Sequence, residues 1–420
     1  MSQFPAVAVP PHANTQVRAG YALLILTIIN LVNYLDRYIV AGALSSIKAE
    51  FQINNTQAGL LTTVFIVVFM LASPVAGYLG DRFPRKYLVA GGVLLWSVAT
   101  GASGLAGSFL ALLVARSFIG IGEAGYGAVA PSIISDLYPR NLRTRMLAFF
   151  YIAIPVGAAV GFGLGGWMSE TYSWHTAFFV GGLPGLLLGT MALFMPEPQR
   201  GAMDGPDSQV KLPFKEGLRG LAGNKAFWAT TAGYTLMTFA IGGLAHWMPT
   251  YMEEVRGMGK GPAGMTTGAI TAVSGLLGTI VGGWLGDKLD RRREGSGLWM
   301  SGMGLMLAAP LVFLAVKVES TTATLLLIGV AQFLIFLNSG PINAAIVNCV
   351  QPAFRAFAMG LNVLCIHMLG DAISPTLIGA VSDASSLSTA IGMNAMPVLL
   401  GGMALLLGAR YFREALSRPG

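Results

Sequence analysis

The sequence predicts an all-α membrane protein of twelve transmembrane helices arranged as two six-helix bundles. Three observations carry that reading: composition, the length and number of apolar runs, and an internal repeat. Of 420 residues, 54% are hydrophobic and 11% charged, where a soluble domain carries roughly a quarter charged residues. So little charge cannot cover a water-exposed surface. The 55 glycines follow no triplet period, which excludes collagen and suits helices that approach closely in lipid through small residues. The net charge of +7 does not indicate nucleic acid, because the cations cluster in short segments between apolar runs.

Residues 1–20 are polar and contain proline. They lack the basic start, short apolar core and small-residue cleavage site of a signal peptide, and are expected to form a cytoplasmic tail. The first apolar run covers about residues 21–43. At 1.5 Å per residue it is long enough for a hydrocarbon core of about 30 Å. Runs at 56–79, 87–106, 109–135, 146–168 and 174–195 complete an N-terminal bundle, 21–195. Residues 196–226, rich in Gly, Pro and charge, form the longest interruption and are read as a cytoplasmic linker. Runs at 227–251, 264–286, 295–316, 321–345, 356–380 and 387–410 make the C-terminal bundle, 227–412, followed by a tail, 413–420.

Alternate loops differ in charge. About twenty Lys and Arg fall on the side that holds both termini and the linker, and about four, Lys48, Arg256, Lys260 and Lys317, on the other. Cations are retained on the cytoplasmic side of a membrane, so both termini are expected there. An odd error in the number of spans would scramble this alternation. The two cysteines, Cys349 and Cys365, lie in or beside apolar runs and indicate no disulfide framework.

The repeat is Gly77, Leu79, Gly80, Asp81, Arg82, Arg85 and Lys86, which returns at the same spacing as Gly283, Leu285, Gly286, Asp287, Lys288, Arg291 and Arg292. Each copy ends the second run of its half. Two halves of six helices in the same orientation imply bundles related by an axis along the membrane normal.

These residues resemble the major facilitator superfamily over nearly the whole chain. Gly77 to Lys86 is similar to the superfamily's loop motif between helices two and three, with Pro84 where glycine is usual, and Arg116, Gly120 and Gly122 resemble its fourth-helix motif. Within the superfamily the chain resembles the spinster family. The match rests on Asn33-Tyr34-Leu35-Asp36-Arg37, on Arg116 through Glu123, Ala124 and Tyr126 to Pro131, and on Phe150, Tyr151, Pro155 and Gly157. The first stretch is shared with organic-anion symporters. The resemblance implies a lysolipid or sphingolipid transporter working by alternating access, coupled to protons in some members, with helices one and four lining a central cavity.

An ionised side chain at mid-membrane costs roughly 2.5 to 3.5 kcal/mol, so each one marks a structural or functional need. The candidates are Asp36 and Arg37 in helix one, Arg116 and Glu123 in helix four, and His367 with Asp371 in helix eleven. Helical rise places Asp36 and Arg116 at similar depth, with Glu123 two turns from Arg116 on the same face. Asp36 and Glu123 are read as proton-coupling groups, with Arg37 and Arg116 as competing cations. Burial favours a neutral carboxyl and a nearby guanidinium favours the carboxylate, so a motion that separates them converts conformation into proton affinity. The bland alternative is a static ion pair joining the two helices. Arg37 and Arg116 are also the expected readers of an anionic headgroup, and Asn33, Tyr34, Tyr126, His367, Asp371 and Asn338 are candidate substrate contacts. His367 and Asp371 share a helix face, which serves packing equally well. Asp81, Arg82 and Arg85, with Asp287, Lys288 and Arg291, are assigned to a cytoplasmic gate. Gly157, Gly161 and Gly165 form a seam for close helix contact.

No metal, nucleotide or nucleophile site is visible, and no cofactor beyond coupling protons is expected. The expected partners are the lipid bilayer and an amphiphilic substrate, for a monomer in a plasma or bacterial inner membrane. Two rivals stay open: a proton-coupled symporter of small organic anions, and a lipid-modifying membrane enzyme. A non-transporting sensor is a third.

Overall fold

A computed structural model of the chain describes residues 13–127, 129–200, 219, 221–350 and 355–416. Among them all regular structure is helical. The first half holds α1 (Ala13–Phe51), α2 (Asn55–Arg82), α3 (Arg85–Ser103), α4 (Phe109–Gly127), α5 (Ala130–Leu137), α6 (Arg140–Thr171) and α7 (Trp174–Ala192). The second holds α8 (Lys225–Glu254), α9 (Lys260–Asp290), α10 (Ser296–Ala315), α11 (Thr321–Phe336), α12 (Ser339–Asn348), α13 (Arg355–Ile366), α14 (Ser374–Ala384), α15 (Leu387–Met393) and α16 (Ala395–Leu416).

Each of these helices falls on one of the apolar runs, and α4 with α5, α11 with α12, α13 with α14, and α15 with α16 share a run. Ten helical stretches among the described residues are long and apolar enough to cross a bilayer. The two remaining passes are α3, which packs on α4 and α7, and α8, which packs on α14 and α16. A helix enclosed by protein needs less apolar surface than one facing lipid. That is why α8 tolerates Thr230, Thr231, Thr235, Thr250 and His246, all buried.

Local sequence sets the ends. Asn54 and Gln57 form a reciprocal cap that starts α2, with bonds of 2.8 and 3.0 Å. Pro84 forces Phe83 into extended backbone (φ −108°, ψ 159°), which stops α2 at Arg82. The second copy of the repeat has no proline at that place, and α9 runs on to Asp290, so Asp287 lies inside the helix and not at its end. The eleventh run is interrupted by a π-helical turn, His367–Asp371, where Gly370 leaves helical geometry (φ −105°, ψ −105°). Such turns widen a helix and recur at functional sites.

The face where α1 starts and α16 ends is called here the basic face, the other the opposite face. One hydrophobic core joins the two halves near the opposite face: Leu44, Ile47, Trp174 and Phe178 from the first meet Trp247, Tyr251, Met252 and Leu387 from the second. The two cores nearer the basic face are separate, one built from α1, α3, α4 and α5, the other from α8, α10, α12 and α16. The glycine seam is as expected: Gly157, Gly161 and Gly165 of α6 lie against the backbone oxygens of Leu31, Leu35 and Ile39 of α1. A second edge of α6 meets the other half, with Gly264 and Gly268 of α9 against the backbone oxygens of Phe162 and Ala159.

Candidate functional site

Between the halves lies a cavity of about 640 Å³, its open mouth included. Its first-half wall carries Arg37, Phe65, Phe69 and Arg116, and its second-half wall carries His246, His367 and Asp371. The π-helical turn supplies both of the last two.

Arg37 and Glu123 form an ion pair, Nε to Oε2, at 2.6 Å. The guanidinium of Arg37 also sits over the rings of Tyr34, Phe69 and Phe65, at 4.9, 5.0 and 5.2 Å, so three aromatic faces hold the cation while it keeps one edge on the cavity. Glu123 is buried, and its second oxygen has no partner. Arg116 is fully buried. Its Nε reaches Leu61 O at 3.4 Å and its guanidinium lies 4.7 Å from the Phe65 ring. Both terminal nitrogens of Arg116 have no acceptor.

On the other wall, His246 Nδ1 shares a 2.9 Å hydrogen bond with the Thr62 hydroxyl, across the two halves. His367 Nδ1 meets both oxygens of Asp371, at 3.0 and 3.1 Å.

Asp36 is buried. It forms no ion pair with either arginine among the described residues; its Oδ2 accepts from Thr100 at 2.6 Å, inside the contact of α1 with α3. Adjacent positions on a helix point about 100° apart, so Arg37 facing the cavity turns Asp36 away from it. The ion pair that joins the first and fourth passes is thus the one between Arg37 and Glu123. Tyr126 is also packed, donating to Leu26 O at 2.8 Å and lying edge-on to Trp96. Asn338 is buried where α11 gives way to α12, its amide 3.5 Å from the Met237 sulfur. Asn33 is buried with its amide nitrogen unpartnered. None of Asn33, Asp36, Tyr126 and Asn338 lines the cavity.

At the basic face, the Asp81 side chain lies outside the described residues. Arg82 is exposed over the Tyr78 ring, and Lys288 lies over Trp284. Arg85 is buried and ties α3 to the end of α5 and the start of the linker, meeting Asp136 at 2.6 Å and Glu197 at 3.1 Å. Asp287 and Arg291 are exposed. The carboxylate that grips the next helix start is Asp290, which accepts from Gly297 N at 2.7 Å. Among the described residues no hydrogen bond joins the halves at this face.

At the opposite face the two halves are tied together by side chains whose partners no motif in the sequence marks. Lys48 pairs with Glu254 at 2.7 Å, Ser45 with Glu253, and Lys260 donates to Ser46 at 2.7 Å. Asp383 accepts from Asn55 N, Thr56 N and the Thr56 hydroxyl, at 2.9, 2.8 and 2.6 Å, a carboxylate set on the N-terminus of α2. Thr63 meets Thr376 at 2.9 Å. Among the described residues these ties between the halves have no counterpart at the basic face.

Comparison with known proteins adds to this geometry. The sequence model of the Major Facilitator Superfamily matches residues 26–375. The chain is 34% identical over 395 residues to the protein spinster of Drosophila melanogaster, covering 90% of this chain and 65% of that one. It is 35% identical over 438 residues to the sphingosine-1-phosphate transporter SPNS2 of Xenopus tropicalis, covering 96% and 84%. The crystal structure of a bacterial homologue of the human lysosomal transporter spinster, inward-facing and unoccupied, matches with a TM-score of 0.86 at 23% identity, over 96% of this chain and 99% of that one. That last likeness is one of fold.

Proposed function

The chain belongs to the major facilitator superfamily and, within it, to the spinster family; from that premise we propose that it is a proton-coupled transporter of anionic amphiphiles with a lysophospholipid-like or sphingolipid-like build. The observation that carries the substrate class is Arg116, a fully buried guanidinium on the cavity wall whose two terminal nitrogens have no acceptor. An anionic headgroup supplies the missing acceptors, and the rings of Phe65 and Phe69 offer apolar surface beside it. Aromatic walls favour an amphiphile over a small polar anion.

Coupling rests on Arg37 and Glu123. While Glu123 is ionised it holds Arg37, and α1 stays joined to α4. A proton on Glu123 cancels that attraction, frees Arg37 toward the cavity, and changes what the substrate anion meets there. In this reading Asp36 acts through Thr100 and α3, as a positioning group for α1. With the basic face taken as cytoplasmic from its charge, the ties at the opposite face support a state open to the cytoplasm. Residues 21–195 and 227–412 are the two bodies that rock, and residues 196–226 link them. Asp81, Arg82, Asp287 and their neighbours engage when that face closes.

Liposomes containing the protein test the proposal against labelled lysophospholipids and small carboxylates, with and without a pH gradient. Lysolipid flux that responds to the gradient and is untouched by excess carboxylate is the expected result. Carboxylate flux with no lysolipid movement would overturn the substrate class, and chemically altered lipid would revive an enzyme.

A further inference from the structure

The outer flank of the second half carries a recess that shares no lining residue with the central cavity. Two hollows adjoin there, with Met393 and Met396 lining both. The first, about 720 Å³ with its mouth, sits at the opposite face and bears Lys317, Ser388 and Thr389 over a floor that includes Phe313. The second, about 640 Å³, is bounded by α8, α14 and α16. Both have the size of ordinary ligand pockets.

The chemistry is graded along the bilayer normal. Lys317 follows the end of α10 and is exposed. Its Nζ lies 5.5 Å over the Phe313 ring, so the cation folds over apolar surface, and it makes no ion pair with a described residue. From Met393 to Leu400 the second hollow descends about 10 Å toward the middle of the membrane. Its walls there are Leu236, Phe239, Leu377 and Leu400. One polar group interrupts this surface. Asn394 is 1% exposed, lines the second hollow, and has no partner for either its oxygen or its nitrogen. An amide buried among aliphatic side chains without a partner is costly. It lies five residues, or about 7.5 Å, beyond Thr389, the level at which a lipid whose phosphate meets Lys317 would place its ester groups.

We infer that this flank binds an anionic, ester-linked glycerophospholipid of the bilayer, its phosphate on Lys317 and the neighbouring hydroxyls, its ester groups at Asn394, and its acyl chains in the two hollows on either side of Met393 and Met396. A lone cation with hydroxyls selects negative headgroups over zwitterionic ones. Two hollows parted by two flexible methionines fit two chains, and this separates the site from one for a single-chain cargo. The inference requires only that this flank faces a bilayer, and it stands apart from the transport reading.

Delipidated full-length protein in detergent, examined by native mass spectrometry with dioleoylphosphatidylglycerol, dioleoylphosphatidylcholine, the diether analogue of the first, and lysophosphatidylglycerol, tests it. The diacyl glycerol lipid is expected to be retained over the choline lipid. Lys317→Gln, an exposed change that leaves the fold alone, is expected to lower its retention about fivefold, and Lys317→Arg to restore it. The diether analogue is expected to bind about fivefold more weakly than the diester, the worth of a hydrogen bond, and Asn394→Leu to erase that difference. Should Asn394→Leu fail to fold, the diester against diether comparison on the unaltered protein decides. Equal retention of glycerol and choline lipids, no effect of Lys317→Gln, equal binding of diester and diether, or preferred binding of the single-chain lipid would each overturn the assignment.

Discussion

Replacing Glu123 by Gln removes one charge from the centre of the molecule and almost nothing else. The 2.6 Å contact puts the two charge centres roughly 4 Å apart, worth about 4 kcal/mol at the effective dielectric suited to such sites. Two terms reduce that figure. Gln still offers Arg37 a neutral acceptor, worth about 1 kcal/mol, and a neutral side chain recovers part of the cost of burying a carboxylate. The Arg37 side chain is 22% exposed, so water screens part of the remainder. A net loss of about 2 kcal/mol remains, roughly thirtyfold in any equilibrium that makes or breaks the pair. Flux of a labelled lysolipid into liposomes, followed over a series of pH values, reads the consequence. The variant mimics a permanently protonated group, so its flux should lose the pH dependence of the unaltered protein while some transport persists. A variant that keeps the full pH profile would remove Glu123 from the coupling step.

Three further outcomes are expected. Asp383→Ala deletes three hydrogen bonds at the closed face, each worth about 0.5 to 1 kcal/mol at an exposed site; with the native cysteines replaced, labelling of Ala41→Cys from that face should rise about tenfold or more, and unchanged labelling would show that Asp383 bears no closing load. Gly264→Leu places a side chain on the Phe162 carbonyl, so the same labelling should rise with little change in melting temperature, whereas Gly161→Leu, on a seam inside one half, should cost about 1 to 3 kcal/mol of stability; equal behaviour of the two would contradict the division into a reversible and a permanent seam. Arg85→Ala withdraws the cation shared by Asp136 and Glu197, a loss of about 1 to 3 kcal/mol, visible as a lower melting temperature in detergent and opposed by a result within error of the unaltered protein.

The helical passes were legible because bilayer thickness fixes their length and apolar character, which do not depend on tertiary detail. The α6 seam was legible because small residues four apart in an apolar run have few other uses. The pairing inside the cavity was not. Helical rise gives the depth of Asp36 and Glu123, but which of Asp36 and Arg37 faces inward depends on how α1 is rotated against α3 and α6, and no local pattern states that. The ties at the closed face were also hidden, since Lys48 and Glu254 are 206 positions apart and Thr56 and Asp383 are 327. The shift from Asp287 to Asp290 turned on a single proline present in one copy of the repeat and missing from the other.

The contact of α6 with α9 has a kinetic consequence. Where Gly264 and Gly268 meet carbonyl oxygens, no side chain on the glycine side must be frozen when the surfaces come together, so remaking that junction on every turnover costs little entropy. The rim is the contrary case: Lys48, Glu254 and Lys260 must each give up rotamers and shed water before they join. The slow part of resealing the molecule thus falls on its charged edge, and ionic strength, which leaves two touching backbones indifferent, becomes the external handle on the pace of the cycle.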